Sequence, residues 1–279
     1  KAVEAAKAAA EAAYLYPDGG SVKLREKIGA VHGLDPARIV CGAGSDELLQ
    51  LLARAYLGPG DNIIQSAHGF LVYALAALAC GAETRFAPEN NLTGDVGAML
   101  DLVDDKTRIV FVANPNNPTG TYLPDAELRR LREGLSEDIL LVIDAAYAEY
   151  MEEADVLNRI RGPFNVTLAA QHAGVAALDD QDFVRRNREH NRAERDFMQQ
   201  QLGGLGLDFV PSYGNFVLVK FPDEPGLSAD DIQAYLKANG VIVREMGAYG
   251  LGQYLRVTVG PKAGNRKFIE LLEKKFHRG

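Results

Sequence analysis

Five short strand-like runs, several of them apolar at almost every position, alternate with amphipathic stretches and constrain this chain more than any other feature. RIVCG (38–42) leads into SDELLQLLARAYL, and DNIIQS (61–66) leads into FLVYALAALA. ETRFAP (83–88) follows, then DVGAMLDLV before TRIVFVANP (107–115), and DAELRRLREGL before EDILLVIDAAY (137–147). Strands without in–out alternation need cover on both faces, which a parallel sheet between two helical layers supplies. Crossovers of that kind are right-handed almost without exception. The expected fold class is therefore α/β, with a doubly wound, mostly parallel sheet spanning residues 20–180.

The remainder follows another rule. Residues 179–202 are rich in Arg, Glu and Gln and read as a long, solvated connector helix. FVPSYGNFVLVKF, ADDIQAYLKANG, VIVRE, QYLRVTVG and a basic amphipathic C-terminal helix then give strand, helix, two strands, helix. That pattern predicts a smaller α+β domain of about 80–100 residues, assigned to residues 181–279 together with 1–19.

Composition excludes some functions. A net charge of −8, with Lys and Arg dispersed among acids, provides no basic face for nucleic acid. The longest nearly uncharged stretch, 63–81, is broken by Gln65, Ser66, His68 and Gly69, so no membrane span is expected. Cys41 and Cys80 fit no metal or redox spacing; reduced, buried thiols in a cytoplasmic protein are expected, and no metal. Lys1 opens a charged, alanine-rich helix without the apolar core of a signal peptide.

In open parallel sheets ligands bind beyond the carboxyl ends of the strands. After RIVCG comes AGSDE, where Ser45 opens a helix whose free N–H groups and positive dipole end suit a phosphate; a plain N-cap is the alternative. After DNIIQS, His68 or Phe70 offers a flat face to a planar ring, or simply begins a core helix. NPNNPTG (114–120) follows TRIVFVA, and Pro115 and Pro118 restrict the backbone so that Asn117 is held stiffly at the strand's end. Asp144 closes an all-apolar strand, where an unpaired carboxylate is costly, with no Lys or Arg adjacent. A protonated cofactor ring nitrogen would be a partner; capping the next loop is the alternative. Arg244, following the run VIV, and Arg256, inside the strand YLRVTVG, present forks suited to a carboxylate or phosphate, or to a structural ion pair.

YPDGG, GAGSDE, HGF, ANPNNPTG, VIDAAY, YGNFVLV and YLRVTVG occur in this order over nearly the whole chain. With them the chain resembles fold-type I pyridoxal-phosphate aminotransferases, and among these the histidinol-phosphate aminotransferases. The resemblance implies that Gly44, Ser45 and Asp46 hold the cofactor phosphate and that His68 stacks on its ring. It implies that Asn117 and Tyr147 bond the ring's 3-oxygen and that Asp144 pairs with the pyridinium nitrogen. Tyr16 would reach the phosphate of a neighbouring subunit, giving a homodimer with shared sites. Asn215, Arg244 and Arg256 would orient the amino donor, with a 2-oxo acid as the other partner. The implied reaction is histidinol-phosphate:2-oxoglutarate transamination in histidine biosynthesis; an aromatic amino-acid aminotransferase shares the same motifs. A non-catalytic cofactor-binding remnant is a further alternative. A Rossmann dinucleotide binder ranks last, for lack of a Gly-x-Gly-x-x-Gly turn.

Two departures stand out. The family's Asp-Glu-Ala-Tyr is here Asp144-Ala145-Ala146-Tyr147. More seriously, the strand and turn bearing the family's catalytic lysine, and the following Gly-rich and Arg residues, have no counterpart. MEEAD runs straight into VLNRIRGPFNVTLAAQ. No other lysine substitutes well, and without one no side chain moves the α-proton. Loss of strands from a parallel sheet would expose apolar surface. We therefore expect Asp155 and Val156 not to be bonded, with about 40–50 further residues between them. The resemblance also implies a substrate-contacting arm before Lys1.

Overall fold

The computed structural model describes residues 1–12, 14–150 and 167–276; the junction of Asp155 and Val156 lies outside them. In chain order the helices are α1 (Ala2–Ala10), α2 (Val22–His32), α3 (Ser45–Tyr56), α4 (Leu71–Ala79), α5 (Val96–Asp101), α6 (Asp125–Gly134), α7 (Leu168–Leu178), α8 (Gln181–Gly204), α9 (Ala229–Ala238) and α10 (Lys262–Phe276). The strands are β1 (Asn62–Ser66), β2 (Glu83–Ala87), β3 (Glu89–Asn90), β4 (Thr93–Gly94), β5 (Thr107–Ala113), β6 (Leu140–Asp144), β7 (Phe209–Val210), β8 (Phe216–Lys220), β9 (Arg244–Glu245) and β10 (Tyr254–Thr258).

The first sheet runs β2-β1-β5-β6, and every ladder in it is parallel. Successive strand residues point to opposite faces, and both faces are apolar and covered. Ile64, Val110 and Val112 meet Val96, Met99 and Leu131 of α5 and α6. Ile63, Ile109 and Phe111 meet Leu49, Tyr73 and Ala77 of α3 and α4. The doubly wound architecture expected from the apolar runs is the one observed. The second sheet, β7-β8-β10-β9, is antiparallel. One face packs on Met198 and Leu202 of α8, Ile232 and Leu236 of α9, and Phe268 and Leu272 of α10.

Three elements differ from expectation, each for a physical reason. RIVCG is not a ladder strand. It begins at the end of a 3-10 turn (Pro36–Arg38) and continues extended at Ile39, with φ −103° and ψ 137°. Ile39 and Cys41 are buried against Leu24, Ile28 and Leu34, yet no strand pairs with them among the described residues. An apolar run of strand character stays extended when its pairing edge is absent.

Helix α8 is no solvated connector, because Asn191, Glu194, Met198 and Leu202, at three- and four-residue spacing, form a buried stripe. Its polar members are bonded rather than hydrated: Asn265 Nδ2 and Arg266 Nη1 each donate to Glu194 Oε2 at 2.9 Å. Burial alone would raise the Glu194 carboxyl, but these bonds and the Arg266 charge outweigh it and hold it below its ordinary value. Asn191 Nδ2 and Arg195 Nη1 donate to the Gly214 carbonyl at 3.1 and 3.3 Å, fixing the turn before Asn215.

Finally, FVPSYGNFVLVKF divides into β7 and β8. The intervening turn docks on the first sheet's loops, where Tyr213 N–H donates to the Gly120 carbonyl at 2.8 Å.

Candidate active site

Strands β5 and β6 end level with each other. Ala113 is the ladder partner of Asp144, and the Asn114 N–H donates to the Asp144 carbonyl at 2.8 Å. The NPNNPTG loop and the DAAY turn therefore leave the sheet side by side at its carboxyl edge, where open parallel sheets place their ligands. A cleft opens there, lined among others by Ser45, Asp46, Phe70, Asn117, Asp144 and Tyr147.

Helix α3 begins at the cleft. Gly44, its N-cap, has φ +82°, which glycine adopts without strain, and caps the helix with no side chain. First-turn N–H groups without a cap acceptor are available to an anion. Ser45 and Asp46 line the cleft directly, and Gly44 turns the chain into it.

The loop sorts its asparagines by use. Asn114 donates to the Leu123 carbonyl at 2.9 Å and accepts from the Leu123 N–H at 2.8 Å. Asn116 donates to the His68 carbonyl at 3.1 Å and to Thr119 Oγ1 at 2.9 Å. Both are buried and serve the scaffold, whereas Asn117 faces the cleft. Asn114→Ala is expected to cost about 2–3 kcal/mol, because it leaves the buried N–H and carbonyl of Leu123 without their side-chain partners. Denaturant titration measures this; a loss under about 0.5 kcal/mol would mean that water replaces the amide.

The second sheet closes the site. Arg256 Nη1 donates to Asn117 Oδ1 at 2.6 Å, and the guanidinium lies 4.7 Å from the centre of the Phe216 ring. Tyr147 meets that ring edge-on at 5.3 Å. Arg256 Nε is buried with no hydrogen-bond partner. Arg244 is the ladder partner of Arg256 across β9 and β10, so both side chains leave the same face. Like charges directly opposed are unfavourable, and an anion between them relieves the repulsion. Asn215 Nδ2 donates to Tyr150 Oη at 3.3 Å.

Asp144 makes no ion pair among the described residues. Its Oδ1 accepts the Ala146 N–H at 3.1 Å, and its Oδ2 accepts the Tyr73 hydroxyl at 2.8 Å. Tyr73 was hidden from sequence reasoning inside FLVYALAALA, where an aromatic reads as core.

His68 stands beside the cleft rather than among the residues that enclose it; Phe70 supplies that wall. Glu89, buried in the β3–β4 hairpin, pairs with His68 Nδ1 at 2.7 Å and accepts the His68 N–H at 2.9 Å. No sequence signal links these two positions. Tyr16, 92% exposed, is not among the residues that line this cleft.

The sequence profile of the family described as aminotransferase class I and II matches residues 1–157 and 152–272. A histidinol-phosphate aminotransferase of Maricaulis maris is 48% identical, over 98% of this chain and 87% of the relative. That of Paramagnetospirillum magneticum is 46% identical over the same shares. The alignment to the former runs over 314 positions against the chain's 279 residues, so at least 35 of its positions have no residue here. The crystal structure of histidinol-phosphate aminotransferase from Sinorhizobium meliloti, in complex with pyridoxal-5'-phosphate, superposes with a TM-score of 0.90 at 22% identity, over 99% of this chain and 87% of that one. A fold of this kind, a profile match over most of the sequence and relatives nearly half identical along it have one meaning: the chain belongs to the class I and II aminotransferases, in the histidinol-phosphate aminotransferase family.

Proposed function

We propose that this chain forms the cofactor- and substrate-holding framework of a pyridoxal-phosphate-dependent transaminase. Its amino donor is histidinol phosphate and its acceptor 2-oxoglutarate, a step of histidine biosynthesis in the cytoplasm. The observation that carries the reading is Asp144. This carboxylate has no cationic partner among the described residues and stands in a cleft between an uncapped helix N-terminus and Asn117. The cleft fits the cofactor by the chemistry of its walls: anion donors at one end, a carboxylate at the other, aromatic faces between.

When bound, pyridoxal phosphate supplies a positively charged ring that accepts electrons released at the donor's α-carbon. Asp144 holds the proton on that ring's nitrogen. Gly44, Ser45 and Asp46, at the start of α3, hold the phosphate through backbone N–H groups and the Ser45 hydroxyl. Asn117 and Tyr147 bond the 3-oxygen, and the Arg256 bond to Asn117 fixes the orientation of that amide. Phe70 would provide the aromatic wall beside the ring, with His68, steadied by Glu89, standing next to that wall. Asn215, Arg244 and Arg256 orient the donor, with the paired arginines gripping its anionic group.

The α-proton still needs a base, and among the described residues no lysine lines this cleft. We read the base as belonging to a family segment that follows Asp155. Three observations support this: the two profile matches meet at residues 152–157, relatives carry unmatched positions, and two parts of the fold await strands. Leu140 to Ile143 of β6 are apolar yet only half-buried, and among the described residues β6 pairs with β5 alone. The extended run from Ile39 has no ladder partner among the described residues. Tyr16, with Tyr14 at 83% exposed beside it, would meet a second copy in a homodimer with shared sites. The division into a large domain (20–180) and a small one (1–19 and 181–279) belongs to the same reading. Among the described residues no helix is long and apolar enough to cross a membrane.

Intact mass of the protein purified from its source, with and without borohydride reduction, tests this. A mass above 30.2 kDa and one covalently retained cofactor are expected. A mass of 30.2 kDa with no retained cofactor would identify a non-catalytic remnant.

A further inference from the structure

We propose that Tyr73 is a positioning residue for the cofactor: its hydroxyl, buried beneath the cleft, aims the Asp144 carboxylate at the ring nitrogen. The inference rests on the cofactor reading above and extends it to a residue outside the cleft wall. Tyr73 is fully buried, stacked on Phe111 at 4.6 Å with 6° between planes, and meets Phe70 edge-on at 5.7 Å. Phenylalanine would fill that aromatic slot equally well. A buried hydroxyl is costly unless bonded, and this one donates to Asp144 Oδ2 at 2.8 Å. Because Oδ1 accepts the Ala146 N–H at 3.1 Å, both oxygens are tied from the protein side. The carboxylate plane is thereby set, and each oxygen keeps a further lone pair for the cleft. Burial first, and the Asp144 charge second, push the Tyr73 phenol well above its ordinary range, so it stays a donor at any working pH.

The ring packing also makes Tyr73 part of a column. Phe111 is on β5, Tyr73 and its neighbours are on α4, and Asp144 ends β6. One side chain thus ties the catalytic strand end to the helix beneath it. Apolar packing alone accounts for the ring; only the carboxylate accounts for the hydroxyl.

The test uses Tyr73→Phe and two ligands. Pyridoxamine phosphate carries the ring nitrogen and cannot condense with surface lysines; its 1-deaza analogue has carbon at that position. Affinity for pyridoxamine phosphate is expected to fall about tenfold, while affinity for the deaza analogue stays within about twofold. In an Asp144→Asn background the Tyr73→Phe effect should vanish, since the two residues act as a unit. Equal weakening of both ligands would reduce Tyr73 to a structural role, and no change in either would remove its role altogether. Failure of the unaltered protein to bind pyridoxamine phosphate would overturn the cofactor reading, and this inference with it. Should Tyr73→Phe not fold, the contrast between the two ligands in Asp144→Asn decides: weakening of the deaza analogue as large as that of pyridoxamine phosphate overturns the proposal.

Discussion

Asp144→Asn is expected to weaken binding of pyridoxamine phosphate about thirtyfold, about 2 kcal/mol. The amide keeps the shape of the carboxylate and an oxygen for the Ala146 N–H, so the fold around it changes little. What it loses is the negative charge, and no other anion among the residues named in the cleft faces the ring position at the end of β6. The remaining cleft acid, Asp46, stands at the α3 end. Without the carboxylate the ring nitrogen of the bound cofactor is no longer held protonated, so its titration moves to lower pH in the variant. Equilibrium dialysis reads the affinity, and the ring's ultraviolet spectrum across pH reads the titration. Affinity within about twofold of the unaltered protein, with an unmoved titration, would show that Asp144 does not face the ring.

Gly120→Ala is expected to destabilise the protein by about 2–4 kcal/mol. Gly120 closes the NPNNPTG loop at φ +77°, and a methyl group built there overlaps Ser212 Oγ and meets Ser212 Cβ at 2.8 Å. Two penalties combine: a left-handed backbone that suits glycine, and overlap with the turn that the second sheet docks on this loop. The overlap is separable. Adding Ser212→Gly removes the two closest atoms, and because it also removes the acceptor of the Gly214 N–H, the double variant is compared with Ser212→Gly alone to recover the steric part. Denaturant midpoints of the single and double variants give both terms. A single-variant loss below about 1 kcal/mol would mean that the loop and the Ser212 turn move apart freely. Because Tyr213 bonds Gly120 here, such movement would also loosen Arg256 from Asn117 across the same contact.

Much of this site was legible in the linear chain because strand ends are legible. Asp144 and Asn117 each follow an uninterrupted apolar run, and a parallel sheet sends such residues to one edge. The loop's prolines marked Asn117, but not which asparagine would be free to face a ligand. Asn114 and Asn116 are consumed by Leu123, His68 and Thr119, a division set by contacts up to 48 residues apart. Tyr73 and Glu89 were illegible for the same reason. Each acts on a residue that the fold, not the sequence, makes its neighbour, Tyr73 across 71 positions and Glu89 across 21. Helix α8 misled because polar residues usually mark solvent. Here Glu194 and Asn191 are buried and find partners on α10 and the Gly214 turn.

Local pattern alone determined the α/β class, the alternation of helices with β1, β2, β5 and β6, and the chemistry available at their ends. These depend on periodicity and residue type, which neighbours in sequence already contain. Tertiary structure decided the rest: that Arg244 and Arg256 share a face, that Arg256 reaches Asn117, and that Tyr73 holds the carboxylate from beneath. Those pairings arise only when separate elements pack, because a hydrogen bond of 2.6 or 2.8 Å demands positions that no short stretch of chain controls. The strand that begins LLVID ends on a carboxylate whose character its own residues declare. Its partners came from α4 and from the turn after it.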